Sequence, residues 1–212
     1  MSPRLSARRR AEQVINSLTR AFPDAECSLD FDKPERLAIR GILSAQCTDK
    51  RVNITAAELF ERYPTMEDLR DADPDEVAAV IKPCGLTKSK TAAVMDFAVR
   101  FCGPWNNTIP NDIDILMECK GVGRKIANLI VGEVYGTPAI VVDTHCKRVM
   151  YRIGLTDNTD PDKVEADLNK VIPDEYKISI GHMAVELGRT YCKAQRPDCS
   201  SCPVSECCLK RV

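Results

Sequence analysis

Cys119-Lys120-Gly121-Val122-Gly123-Arg124-Lys125-Ile126-Ala127-Asn128 lies between two stretches of helical apolar spacing. Two glycines two residues apart permit a tight turn whose backbone can approach another molecule, and the following helix directs its first N–H groups into that turn. A helix N-terminus fronted by glycines is a natural phosphate cradle. The same spacing also serves an ordinary connection between helices that uses glycine only for its φ angles. Lys125 falls in the first turn of the second helix, beside Arg124. The helix dipole and the neighbouring cation both favour the neutral amine, the form that acts as a nucleophile. A lysine placed at random is simply a solvated charge.

Outward from the hairpin, apolar residues keep helical spacing almost throughout. Ala11, Val14, Ile15, Leu18 and Phe22 open the pattern. Further helices are predicted near 35–46, 50–62, 66–72, 75–82, 89–101, 112–119, 124–135, 144–153, 161–171 and 175–189. Asp73-Pro74 and Asp160-Pro161 each offer an N-cap acid followed by proline at the first helical position. Only Ala139 to Val142 resembles a strand, and one four-residue run makes no sheet. The expected class is all-α.

Val141-Val142-Asp143-Thr144-His145 ends an apolar run in an acid at a predicted helix start. Asp143 can be an N-cap, a carboxylate that offsets positive charge developing on a substrate, or both. The tail carries five of the eleven cysteines, four of them spaced Cys192-x6-Cys199-x2-Cys202-x5-Cys208. On a short stretch broken by Pro197 and Pro203, this points to thiolates converging on a metal or an iron-sulfur cluster, and spacing alone admits zinc as well as iron-sulfur. The other cysteines are scattered singly, as in reduced cytosolic proteins.

With 212 residues the chain can bury a full core, and its formal net charge is -1. Near-neutral charge does not announce a nucleic-acid binder, yet Glu118 to Arg152 carries six basic and three acidic residues and Arg189 to Val212 five and two. Local patches of this kind govern nucleic-acid binding. No run of 18 apolar residues exists to cross a membrane. The Arg-rich stretch Met1 to Arg10 could be an organellar presequence, but its helical pattern continues through Glu12 and Val14, so targeting is not expected.

Taken together, these stretches resemble the endonuclease III family of helix-hairpin-helix DNA glycosylases with AP lyase activity. The matching segments are Leu43-Ser44-Ala45-Gln46 with Thr48-Asp49, Gly85-Leu86, the hairpin with Ala127-Asn128, Val142-Asp143-Thr144-His145 with Arg148-Val149, and Gly188-Arg189 leading into the cysteine tail. The resemblance implies a two-lobed all-α fold: a six-helix barrel domain over 27–137 with the helix-hairpin-helix near 112–135, and a discontinuous domain of 1–26 and 138–212 holding a 4Fe-4S cluster. DNA would lie across the cleft between them. It further implies that Lys125 is the Schiff-base lysine and Asp143 the essential aspartate. Gln46 would enter the space left by an extruded nucleotide, and Leu86 would wedge against the opposite strand. Lys120, Gly121, Val122, Gly123, Arg124, His145 and Lys193 would contact DNA, and Cys192, Cys199, Cys202 and Cys208 would hold the cluster, with Cys207 spare. The expected substrate is double-stranded DNA with an oxidised pyrimidine or an abasic site. The protein is expected to act as a monomer in a prokaryotic cytoplasm, associated with the nucleoid.

Three positions depart from the family pattern. Cys119-Lys120 stands where Leu-Pro is common, Ile126 where threonine often follows the lysine, and Thr87 where an aromatic often follows Gly85-Leu86. None removes a catalytic group. The rival readings are a monofunctional mismatch glycosylase of the same superfamily, which typically lacks the lysine, and a non-catalytic DNA-binding module stabilised by metal.

Overall fold

The structure, a computed structural model, describes residues 6–212, so the first five residues of the Arg-rich stretch lie outside the described residues. Eleven α-helices follow in order among them: α1 (Ala7–Ala21), α2 (Pro34–Leu43), α3 (Asp49–Arg62), α4 (Met66–Asp71), α5 (Pro74–Ile81), α6 (Thr87–Cys102), α7 (Ile113–Met117), α8 (Arg124–Tyr135), α9 (Thr144–Ile153), α10 (Pro161–Val171) and α11 (Lys177–Thr190). Single 3-10 turns sit at Lys82–Cys84 and Asp174–Tyr176. The class is all-α, and Ala139 to Val142 carries no strand. No helix among the described residues is long and apolar enough to cross a membrane.

The helix starts follow the local chemistry. Asp73 and Asp160 accept the amides of Asp75 and Lys163, with proline next in both. Thr65 and Asp68 close a reciprocal capping box on α4, a device worth about 1 kcal/mol per cap. One boundary differs from expectation: α2 stops at Leu43, three residues short of the predicted 46. The Ser44 amide still closes on Arg40, but Gln46 turns to φ 53° and cannot continue the helix.

The chain divides into two compact units, Cys27–Thr137 and the segment up to Glu26 with Pro138–Val212. In the first, α6 packs against α2, α4 and α5, while α8 packs against α2 and α7. Phe97, Leu43, Leu59, Leu116 and Ile130 are fully enclosed, each contributing about 1.5–3 kcal/mol of burial. Gly41 lets α2 and α8 meet: a Cβ there would stand 3.0 Å from Ile126 Cγ2. That contact fixes the first turn of α8.

In the second unit α9 packs on α11, and α1 touches both α10 and α11. Its core includes Leu18, Ile140, Met150, Leu168 and Leu187. Arg10 of α1 is buried and donates to the carbonyls of Cys207 and Gly154, at 3.2 Å each. The first helix is thereby tied to the cysteine tail.

Candidate functional site

The hairpin is built by two glycines with different tasks. Gly121 has φ 76°, and a Cβ there would press to 2.7 Å from the Cβ of Ala93 on α6. Gly123 needs neither a positive φ nor a close neighbour; a Cβ there would meet nothing within 4 Å. It leaves open surface in front of α8, whose N-terminus has no side-chain cap. The Gly123 carbonyl accepts from Ile126 and Ala127 and starts the helix. An open glycine before uncapped amides is a suitable seat for a phosphate oxygen.

Lys120, Arg124 and Lys125 are exposed on this turn. Val122 is not: its side chain is buried, so it can offer a ligand only its backbone. The Lys120 amide donates to Asp96 Oδ2 at 3.0 Å, and its Nζ lies 3.9 Å from Asp96 Oδ1. Burial raises the Asp96 carboxyl's pKa, but the Lys120 amide and Arg100 outweigh it and hold the group below the usual carboxylate range. Burial, with Asp96 beside it, pushes the Cys119 thiol up to about 12. Cys119 is therefore a small packed side chain and not a nucleophile.

Gln46 and Leu86 are both exposed, and both adopt left-handed backbone, with φ 53° and φ 49°. Few non-glycine residues do so, and such strain gathers where a side chain must be aimed.

Asp143 is the N-cap of α9: its Oδ1 accepts the Cys146 amide at 2.7 Å, and the side chain remains half-buried. Two residues on, His145 Nδ1 lies 3.1 Å from Arg148 Nη2. Gly188 makes this possible, because a Cβ on α11 would stand 2.7 Å from His145 Nδ1. His145 is packed at the junction of α9 and α11.

Cys192, Cys199, Cys202 and Cys208 all line one apolar pocket, walled also by Ile153 and Leu187. The Lys210 amide donates to Cys208 Sγ at 3.2 Å, and Arg152 Nη1 approaches Cys192 Sγ at 3.6 Å. Burial raises the Cys202 and Cys208 thiols, and the other cysteines of the group push the same way. Cys207 does not join them: it is buried in the core with its Sγ 3.4 Å from the Val204 carbonyl. Among the described residues no three His, Cys, Asp or Glu side chains form a group that could hold a single metal ion. Four thiols lining one apolar pocket, with N–H donors toward two of the sulfurs, are a donor set suited to thiolate ligation of iron-sulfur or zinc.

Sequence reasoning missed the supports. Arg148 Nε donates to the Cys192 carbonyl at 3.1 Å, and Arg152 donates to the carbonyls of Lys193 and Ala194 at 2.7 and 3.0 Å. Two arginines four apart on α9 were the available signal. Lys193 is exposed, with its backbone held by Arg152. Asp96 gave no signal, being 24 residues from the amide it binds.

The profile of the HhH-GPD superfamily base excision DNA repair proteins matches residues 39–174. The chain is 35% identical over 204 residues to endonuclease III of Synechocystis sp., covering 96% of this chain and 93% of that protein. A solved structure of a non-covalent endonuclease III–DNA complex superposes with TM-score 0.91 at 37% identity, covering 97% of this chain and 96% of that one. A trapped covalent endonuclease III–DNA intermediate superposes with TM-score 0.88, also at 37% identity, covering 97% of each chain. With likeness of this extent in both sequence and fold, the chain belongs to the HhH-GPD superfamily of base excision DNA repair proteins, among the endonuclease III homologues.

Proposed function

We propose that this protein is a bifunctional DNA glycosylase and AP lyase that removes oxidised pyrimidines from duplex DNA and cuts 3′ to the resulting abasic site. The observation that carries the reading is an exposed lysine, Lys125, in the first turn of a helix fronted by an open glycine turn. A base inside the duplex is out of reach, so the damaged nucleotide leaves the stack, at lower cost where the lesion stacks poorly. The neutral amine of Lys125 attacks the sugar C1′, and the bond to the base breaks with its electron pair. The sugar ring then opens as the C1′–O4′ bond breaks and one ammonium proton passes to O4′, and the resulting protonated imine acidifies the C2′ proton. Loss of that proton expels the 3′ phosphate by β-elimination, and water hydrolyses the imine to free the enzyme. The Asp143 carboxylate offsets positive charge on the sugar in the first step.

Cys192, Cys199, Cys202 and Cys208 would hold a 4Fe-4S cluster, whose iron-sulfur bonds would cross-link the tail. Lys193, Arg196 and Lys210 are exposed on that tail and add salt-dependent phosphate contacts. Borohydride trapping on duplexes containing thymine glycol or an abasic site tests the scheme. Wild type should form a covalent adduct; base excision with no adduct would sink the lysine mechanism. A panel of defined lesions in the same assay ranks the substrates.

Asp143→Asn separates charge from capping. Asparagine caps helices as well as aspartate does, so the Cys146 amide keeps its acceptor and α9 its start. Single-turnover excision should still fall roughly 10²-fold, the scale of losing one group aimed at developing charge. An unchanged excision rate would leave Asp143 as a cap alone.

A further inference from the structure

The left-handed turns at Gln46 and Leu86 need something to hold them. For an L-residue that conformation costs about 1–2 kcal/mol, and Leu86 is 50% exposed, so burial of its side chain offsets little of it. The common element is Lys90, in the first turn of α6 and only 3% exposed. Its Nζ donates to the carbonyls of Leu43 at 2.9 Å, Ala45 at 2.7 Å and Cys84 at 2.7 Å. An ammonium has three donors and no acceptor, and all three are used.

Two of those carbonyls lie in the turn that leads to Gln46, and the third lies in the turn that leads to Leu86. Burying an ammonium is expensive, and a well-packed apolar side chain of similar volume would ordinarily serve stability as well or better. Charge-assisted bonds to three carbonyls on two separate turns give a different benefit: they fix the turns relative to each other. The same helix continues the task along one face. Ala93 seats Gly121 of the hairpin, and Asp96 accepts the Lys120 amide. Positions 90, 93 and 96 follow the helical repeat, so one face of α6 anchors both turns and the hairpin.

We propose that Lys90 is a positioning residue that locks the Gln46 and Leu86 turns into one rigid piece, presenting both side chains together to the gap a departing nucleotide leaves in duplex DNA. This rests on the glycosylase function proposed above. Lys90 touches no reacting atom; its effect passes through the two turns.

The test uses full-length protein, a duplex containing a tetrahydrofuran abasic analogue, and the same duplex undamaged. Lys90→Gln keeps two donors and should weaken binding of the analogue duplex about tenfold while leaving undamaged-duplex affinity unchanged. 2-Aminopurine opposite the analogue should lose most of its fluorescence rise on binding. In a Gln46→Ala/Leu86→Ala background, Lys90→Gln should have almost no further effect. Equal losses on both duplexes, or a full effect in that background, would make Lys90 a merely structural residue.

Should Lys90→Gln fail to fold, the exposed pair decides alone. Gln46→Ala and Leu86→Ala in otherwise wild-type protein should be non-additive, the double variant losing about fivefold less affinity than the product of the singles. Additive losses in a wild type that incises abasic duplex overturn the role of Lys90 and leave the proposed function standing. A wild type that neither prefers the analogue duplex nor incises an abasic one overturns both.

Discussion

Lys125→Ala is expected to abolish incision of duplexes carrying thymine glycol or an abasic site while leaving duplex binding near the wild-type value. The side chain is exposed at the start of α8, so its removal creates no cavity, and alanine is the best helix former. Surface changes of this kind stay within about 0.5 kcal/mol of wild-type stability. The chemistry has no such tolerance. Without the amine there is no imine, and without the imine the C2′ proton is not acidified, so both bond-breaking steps lose their route. A fall of roughly 10³-fold or more in single-turnover incision matches the loss of a covalent nucleophile. The adduct trapped by borohydride should disappear in parallel. Lys120, on the same turn, has its Nζ 3.9 Å from Asp96 Oδ1 and is engaged there. Incision by Lys125→Ala at the wild-type rate would place the nucleophile elsewhere.

Local chemistry made much of this site legible. Gly121, Gly123 and Lys125 stand close together in sequence, and the turn they form depends on each residue's own conformational freedom. Asp143 was readable both as a cap and as a candidate acid, and it caps α9. Distant partners were not readable. The end of α2 was misjudged because the carbonyls of Leu43 and Ala45 are held by Lys90, 47 and 45 residues away. Val122 was assigned to DNA contact by its place in the motif; its side chain is buried, which leaves its backbone for that contact. Adjacent Cys207 and Cys208 could not be told apart by spacing without the family pattern. Packing separates them, because Cys207 turns inward and Cys208 faces the cavity.

That separation sets up the second large effect. Cys208→Ser should purify without the visible absorption of an iron-sulfur cluster near ~400 nm, whereas Cys207→Ser should keep it. A serine at 207 can donate its hydroxyl to the Val204 carbonyl that the Cys207 sulfur already faces. A serine at 208 takes one thiolate from the four around the cavity. The tail depends on such a tie, because Arg196 and Lys210 both hold left-handed backbone, φ 51° and 54°, within an irregular loop. Loss of a metal cross-link removes several kcal/mol of folding free energy, so Cys208→Ser should melt roughly 10 °C lower. The effect should also reach DNA. Lys193, Arg196 and Lys210 would no longer be fixed, and the salt dependence of binding should flatten by about two to three counterions. It should reach the chemistry as well, because Arg148 and Arg152 brace α9 against the carbonyls of Cys192, Lys193 and Ala194, and Asp143 caps the start of α9. Excision should therefore slow even at saturating DNA, and that loss should be smaller in Asp143→Asn, where the carboxylate to be positioned is gone. Retained absorption in Cys208→Ser with loss in Cys207→Ser would reverse the assignment. A colourless wild type binding one equivalent of zinc would overturn the cluster.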